Sequence, residues 1–184
     1  MLGLEIVTLL IQVAVILFIS HLLWNSIQVV FFFCFSYVPS PRRNVTQIVA
    51  LLGPKPGEKI VDLGCGDARI LLAAWRKEPK GMYCGYESSL YPYLLAKFRI
   101  WRNKAPIQVY RKNFFHADLR NTDKIYMFLL PRVMDRLLPK LQKELRPGTM
   151  LVSTDFMFSN KTPARMIALD EKAKLGKRLL VYQF

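Results

Sequence analysis

From Ile6 to Pro41 the sequence contains no aspartate, glutamate, lysine or arginine. That absence excludes a solvated surface helix, and roughly 20 apolar residues already suffice to cross a bilayer. The run exceeds this even with Gln12, His21, Asn25 and Gln28 inside it, so one transmembrane helix is expected over residues 6–34, with a buried core helix as the competing reading. A secretory signal is disfavoured because the basic leading region is missing and the apolar run is too long. No small-residue cleavage site follows it either, since Ser36-Tyr37-Val38-Pro39 leads straight on. Cysteine is scarce too. Cys34, Cys65 and Cys84 form no C-x-x-C pair, which argues against zinc and a disulfide framework and fits a reducing compartment. No internal repeat or low-complexity tract is visible.

Charge is confined to the rest of the chain. All 27 basic residues and all acidic ones but Glu5, 12 of 13, follow Pro41, so that part carries a formal charge near +15. Such a balance implies an anionic neighbour, phospholipid headgroups or nucleic acid, and the expected anchor favours the membrane surface. Arg42 and Arg43 follow the apolar run whereas Glu5 alone precedes it. The positive-inside bias therefore puts the domain on the cytoplasmic side, or the matrix side in an organelle. The expected divisions are 1–36 anchor, 37–57 linker and short helix, and 58–184 the main domain.

The stretch Lys59 to Arg69 reads K-I-V-D-L-G-C-G-D-A-R. A β-branched run, an acid (Asp62) and a glycine turn (Gly64, Gly66) open there into an apolar helix, the order in which a backbone passes close under a nucleotide-like cofactor. A dinucleotide site wants a third glycine to receive its pyrophosphate, and that position holds Arg69. Its companion is Gly85-Tyr86-Glu87, where Glu87 ends a second strand, the place of an acid that hydrogen-bonds a ribose.

The remaining pattern alternates. A helix is expected over Asn44–Leu52, strands over 81–87, 107–111, 125–129 and 150–156, and helices over 68–77, 91–103 and 131–145, with Pro131 at a helix start. Tyr91, Pro92 and Tyr93 are expected to pack the start of their helix. Two final strands, 165–170 and 178–184, turn at Gly176. This specifies an α/β fold, a Rossmann-like parallel sheet with helices on both faces and a terminal β-hairpin.

D-x-G-x-G with an acid closing the first strand resembles motif I of the class I S-adenosylmethionine (AdoMet) methyltransferases. The whole chain, with its anchor, Y-V-P-S-P, D-L-G-C-G-D-A-R, G-Y-E, N-F-F and F-L-L-P-R-V-M, resembles the small membrane-anchored protein-lysine methyltransferases. That family includes the enzymes acting on the ATP synthase c subunit and the adenine nucleotide translocase. The resemblance implies AdoMet as cofactor, with Asp62, Gly64, Cys65 and Gly66 at its methionine end. It places Glu87 at the ribose, Asn113 and Phe114 at the adenine, and Asp67, Ser88 and Leu130 among the other cofactor-binding residues. Tyr37, Val38 and Pro39 would form a lip over the cofactor, and Leu130-Pro131 would face the acceptor, so that Tyr37 and Pro131 are the candidate substrate-channel residues. Relatives carry a glycine in D-G-R where this chain has Ala68, and many carry an acid at Asn113.

The implied partners are a membrane-associated protein offering a lysine, and the lipid surface. A lipid or quinone acceptor is the alternative, and a basic nucleic-acid-binding module the third reading. N-P-P-Y, frequent in RNA methyltransferases after the fourth strand, is absent. No metal is expected, and no general base is assigned: methyl transfer is an in-line displacement, and desolvation in an aromatic channel lowers an amine's pKa. His116 reads as a solvated loop residue.

Overall fold

The computed structural model describes residues 2–35, 39–170 and 172–184. The chain divides into two compact units, Met1–Tyr37 and Val38–Phe184. The first is helix α1, Leu2–Phe35. Its stretch Glu5–Ile27 is long and apolar enough to cross a membrane, and every side chain described in that stretch is exposed. Within the helix Asn25 Nδ2 lies 3.0 Å from His21 Nε2, and Ser26 Oγ donates to the Leu22 carbonyl at 2.8 Å.

The second unit begins with helix α2 (Val45–Leu52) and continues with strand β1 (Lys59–Leu63), α3 (Arg69–Lys77), β2 (Met82–Glu87), α4 (Leu90–Arg102) and β3 (Ile107–Arg111). β4 (Lys124–Met127), α5 (Pro131–Glu144), β5 (Met150–Thr154), β6 (Arg165–Ala168) and β7 (Arg178–Gln183) complete it. The seven strands form one sheet in the order β3-β2-β1-β4-β5-β7-β6. β1 to β5 are parallel, and β7 is antiparallel to both β5 and β6. This is the arrangement the alternation of β-branched runs and amphipathic helices predicts, terminal hairpin included.

Strand alternation divides the core between the two faces of the sheet. Ile60, Tyr83, Ile107, Tyr126 and Val152 pack with Ile48 and Leu52 of α2 and Ile70 and Leu71 of α3. Val61, Ile125, Met127, Leu151 and Leu180 pack with Met134, Leu137, Leu138 and Leu141 of α5. The single apolar stripe of α5 buries four residues and leaves a charged outer face, as its periodicity requires.

Four local features differ from expectation. β4 stops at Met127, β5 at Thr154 and β6 at Ala168, two residues early each; after β4 and β5 the chain turns away to form a rim. At β5 the turn is Asp155, held at φ 63° by donation from the backbone N–H groups of Gly176, Lys177 and Arg178 to its carboxylate. At the start of α4, Pro92 is buried and Tyr93 half-buried, but Tyr91 is exposed.

Candidate functional site

Strand order reverses between β1 and β4, and an open α/β sheet offers its crevice at such a switch point, beyond the carboxyl ends of the strands. The motif I turn lies there. Gly64 and Gly66 have φ of 81° and 53°, a region that costs glycine little. The amides of Gly64 and Cys65 both donate to the Tyr86 carbonyl, at 2.9 and 3.1 Å. A Cβ on Gly64 would stand 3.3 Å from Leu129 beyond β4. The turn is thus stitched to β2 on one side and packed against the end of β4 on the other.

Ala68 follows at φ 59°, ψ 23°, fully buried. A left-handed conformation there is the physical reason for glycine in related motifs, and alanine is the smallest side chain that can stand in.

Cys65 points its thiol inward. A Cβ on Gly85 would meet Cys65 Sγ at 2.6 Å, so Gly85 leaves the space that this sulfur fills. Burial, then the nearby Asp62, pushes the thiol pKa up, so it is an inert core group, and any ligand contact from Cys65 is through its backbone.

Two acids close β1 and β2. Glu87 Oε2 accepts the Gly66 amide hydrogen at 3.0 Å, and Oε1 accepts that of Ser89 at 2.8 Å. Asp62 is 2% exposed, and among the described residues its Oδ1 has no hydrogen-bond partner. Burial, followed by the negative neighbours Glu87 and Asp67, raises its pKa well above the ordinary carboxylate range. A buried carboxylate oxygen without a donor needs a cation or donor from elsewhere. The ammonium of a methionine moiety supplies one, so the residues present fit AdoMet.

Asp67 is committed differently. It is 1% exposed and accepts a fork from Arg69, Nε–Oδ1 at 2.9 Å and Nη2–Oδ2 at 2.7 Å, as well as Nη1 of Arg99 from α4. Arg69 Nη1 also donates to the Ser40 carbonyl at 2.8 Å, while Ser40 Oγ meets the Tyr126 hydroxyl at 2.8 Å, itself 2.9 Å from Thr154 Oγ1. Arg69, Arg99, Ser40, Tyr126 and Thr154 therefore pin the segment beside Pro39 over the sheet. Sequence reasoning missed all five, since a tyrosine inside an apolar strand reads as core and pairings 28 to 86 residues apart leave no local trace.

Ser88 is exposed beside Glu87. The Lys112 amide donates to the Glu87 carbonyl at 3.1 Å, which brings Asn113 and Phe114 to the same end of the sheet. Asn113 Oδ1 accepts the Phe115 amide at 3.1 Å, leaving its NH2 for a ligand, and Phe114 is half-buried beside Phe115. Leu130 and Pro131 are exposed between β4 and α5. Phe128 and Phe156, just past β4 and β5, stack at 5.9 Å. Pro39 is exposed; Tyr37 and Val38 lie outside the described residues. His116 is exposed.

A seven-stranded sheet ending in an antiparallel hairpin, with a glycine turn and an orphaned acid at its switch point, defines a class I AdoMet-dependent methyltransferase. Residues 62–165 match the family described as the ANTKMT methyltransferase domain, and the chain belongs to that family. It is 31% identical to a protein-lysine N-methyltransferase of Saccharolobus islandicus over 73% of this chain and 85% of that one. It is 35% identical to the mouse adenine nucleotide translocase lysine N-methyltransferase over 71% of this chain, but spans only 57% of that protein's length. Among solved structures, an RNA methyltransferase from Salinibacter ruber in complex with S-adenosyl-L-homocysteine superposes with a TM-score of 0.73, at 26% identity over 79% of this chain and 93% of that one. A precorrin-6y C5,15-methyltransferase from Geobacter metallireducens shares the fold, with a TM-score of 0.62 and 10% identity.

Proposed function

We propose that this protein transfers a methyl group from AdoMet to a lysine of a membrane protein. The observation that carries the cofactor half is Asp62 Oδ1, a buried acceptor without a donor among the described residues at the end of the first strand. The acceptor half is supported by the family and by the similarity to the Saccharolobus islandicus protein-lysine N-methyltransferase. AdoMet supplies an electrophilic methyl on a sulfonium. Asp62 holds the ammonium, the motif I turn with Glu87 and Ser88 supports the ribose and methionine, and Asn113 and Phe114 flank the adenine. Pro39, Leu130 and Pro131 border the acceptor's approach, and the stacked Phe128 and Phe156 form an apolar wall that favours a neutral amine over ammonium.

The membrane setting is supported by α1, whose apolar stretch Glu5–Ile27 is long enough to span, with Arg42 and Arg43 after it. We read it as a single-pass anchor with the domain on the cytoplasmic or matrix side. Tethering raises the effective concentration of membrane-borne acceptors and does nothing comparable for soluble ones. A second reading, RNA methylation, is favoured by the likeness to the Salinibacter ruber enzyme and by the net charge of +14. Against it, Phe128-Leu129-Leu130-Pro131 offers no polar side chain to a base edge. Full-length protein incubated with labelled AdoMet and separate membrane-protein, lipid and RNA fractions tests both. Label in protein, recovered as methyl-lysine, is expected; label in RNA or lipid alone sinks the proposal.

A further inference from the structure

Helix α4 is apolar on two opposite sides. Pro92, Ala96 and Ile100 are buried in the domain. Leu90, Tyr91, Leu94, Phe98 and Trp101 face the other way, with exposures of 47, 56, 53, 52 and 74%. At about 100° per residue these five side chains fall within an arc of roughly 100°. Phe98 and Trp101 approach ring to ring at 6.0 Å. Isolated exposed apolar residues are ordinary on a soluble surface, but a continuous stripe of five is not. Nothing in the fold requires it, because the opposite face already seats the helix.

The charge around the stripe names its partner. From Ser88 to Ala117 the chain has no acid and six bases: Lys97, Arg99, Arg102, Lys104, Arg111 and Lys112. Arg99 is paired with Asp67. Lys97 and Arg102 border the stripe on its two sides and Lys104 follows its end; among the described residues none of these three has an acidic partner. We propose that this face of α4 is a membrane-docking surface, lying in the headgroup region of an anionic bilayer. Its stripe enters the acyl boundary, and Lys97, Arg102 and Lys104 meet lipid phosphates. Two leucines in the stripe gain nothing from stacking bases or from phosphates, which disfavours RNA. A second copy of the same face would bring uncompensated positive charges together.

Docking would fix the height of the site. Leu90 is three residues from Glu87, so the stripe begins beside the cofactor acids. Ser40, where the chain enters the domain, is braced to α4 through Arg69, Asp67 and Arg99. Attachment through α4 therefore holds that whole block.

This inference rests on reading α1 as lipid-embedded, and two tryptophans separate the two claims. Full-length protein is reconstituted in phosphatidylcholine vesicles carrying a shallow brominated lipid, with and without phosphatidylglycerol. Trp101 emission is read as the difference between wild type and Trp101→Phe, and Trp24 emission as the difference from Trp24→Phe. Expected is loss of most Trp101 emission in phosphatidylglycerol vesicles and recovery in Lys97→Glu/Arg102→Glu/Lys104→Glu, with AdoMet binding unchanged. Unquenched Trp101 beside quenched Trp24 overturns docking and leaves the anchor standing; both unquenched overturns both. Equal quenching in the charge-reversed protein overturns the anionic-lipid assignment. A Trp101 response in detergent to single-stranded RNA, or to protein concentration, with no quenching by lipid, assigns the face to RNA or to a second copy instead. None of these readouts depends on methyl transfer, so the lysine proposal stands or falls separately.

Discussion

Glu87 Oε2 accepts the amide hydrogen of Gly66 at 3.0 Å, so the acid that ends the second strand is part of the turn that follows the first. Its neighbour Asp62, one strand away, has a buried oxygen with no donor among the described residues. One carboxylate builds the cradle and the other waits for a cation. Their roles follow from geometry, since both are buried at the same sheet end.

Asp62→Asn removes a buried group whose charged form the fold disfavours and the ligand requires. A charge-assisted hydrogen bond is worth about 1.5–3 kcal/mol, so AdoMet affinity should fall roughly ten- to hundredfold by calorimetry. The ligand-free protein should gain about 1 kcal/mol at neutral pH, or ~2–4 °C in melting temperature. A mutant that binds AdoMet normally would remove Asp62 from the site.

The pH dependence has opposite signs in the two states. Ligand-free Asp62 has a pKa raised by burial, so between the ordinary carboxylate range and that raised value the folded state holds a proton the unfolded chain has lost. Stability of the ligand-free protein therefore falls as pH rises through this window. AdoMet affinity rises through it, with proton release on binding, because the ammonium favours the charged carboxylate. Calorimetry in buffers of different ionisation enthalpy measures the protons released, and Asp62→Asn should release fewer.

Ala68 tests the motif I backbone. Relief of its left-handed strain by Ala68→Gly is about 1–2 kcal/mol. It is offset by unfolded-chain entropy of roughly 0.4–1 kcal/mol and by loss of a buried methyl worth ~0.8 kcal/mol. Thermal melting should move by little. Ala68→Val puts a β-branched side chain at positive φ in a fully buried site and should cost about 2–3 kcal/mol or more. Equal melting temperatures for the two variants would contradict this reading.

Arg69 and Arg99 share Asp67 unequally. Arg99→Met leaves the Arg69 fork in place and should cost about 1 kcal/mol, since Arg99 is partly exposed. Arg69→Met removes the fork and the hold on Ser40, and should cost about 2–4 kcal/mol while speeding proteolysis near Pro39. The double variant leaves the buried Asp67 carboxylate without either guanidinium, so its loss should exceed the sum of the two. Simple additivity in a double-mutant cycle would mean that Asp67 is not shared.

The alternation of strands and helices, the motif I turn and the two acids were legible in the sequence because each depends on neighbours a few residues apart. β-branched runs, glycines and helical periodicity are local facts, and Gly64, Gly66, Asp62 and Glu87 stand where that pattern puts them. The long charge-free segment was equally plain. Only the tertiary structure decided how the two acids divide their work, because a hydrogen bond from Gly66 to Glu87 spans 21 residues and an unpartnered oxygen exists only once the core has closed around it. The same holds for Tyr126, which a strand pattern assigns to the core and which the fold joins to Ser40 and Thr154. It holds also for Tyr91, expected to pack and found exposed, since periodicity gives the faces of a helix while the neighbouring elements decide which of them is covered.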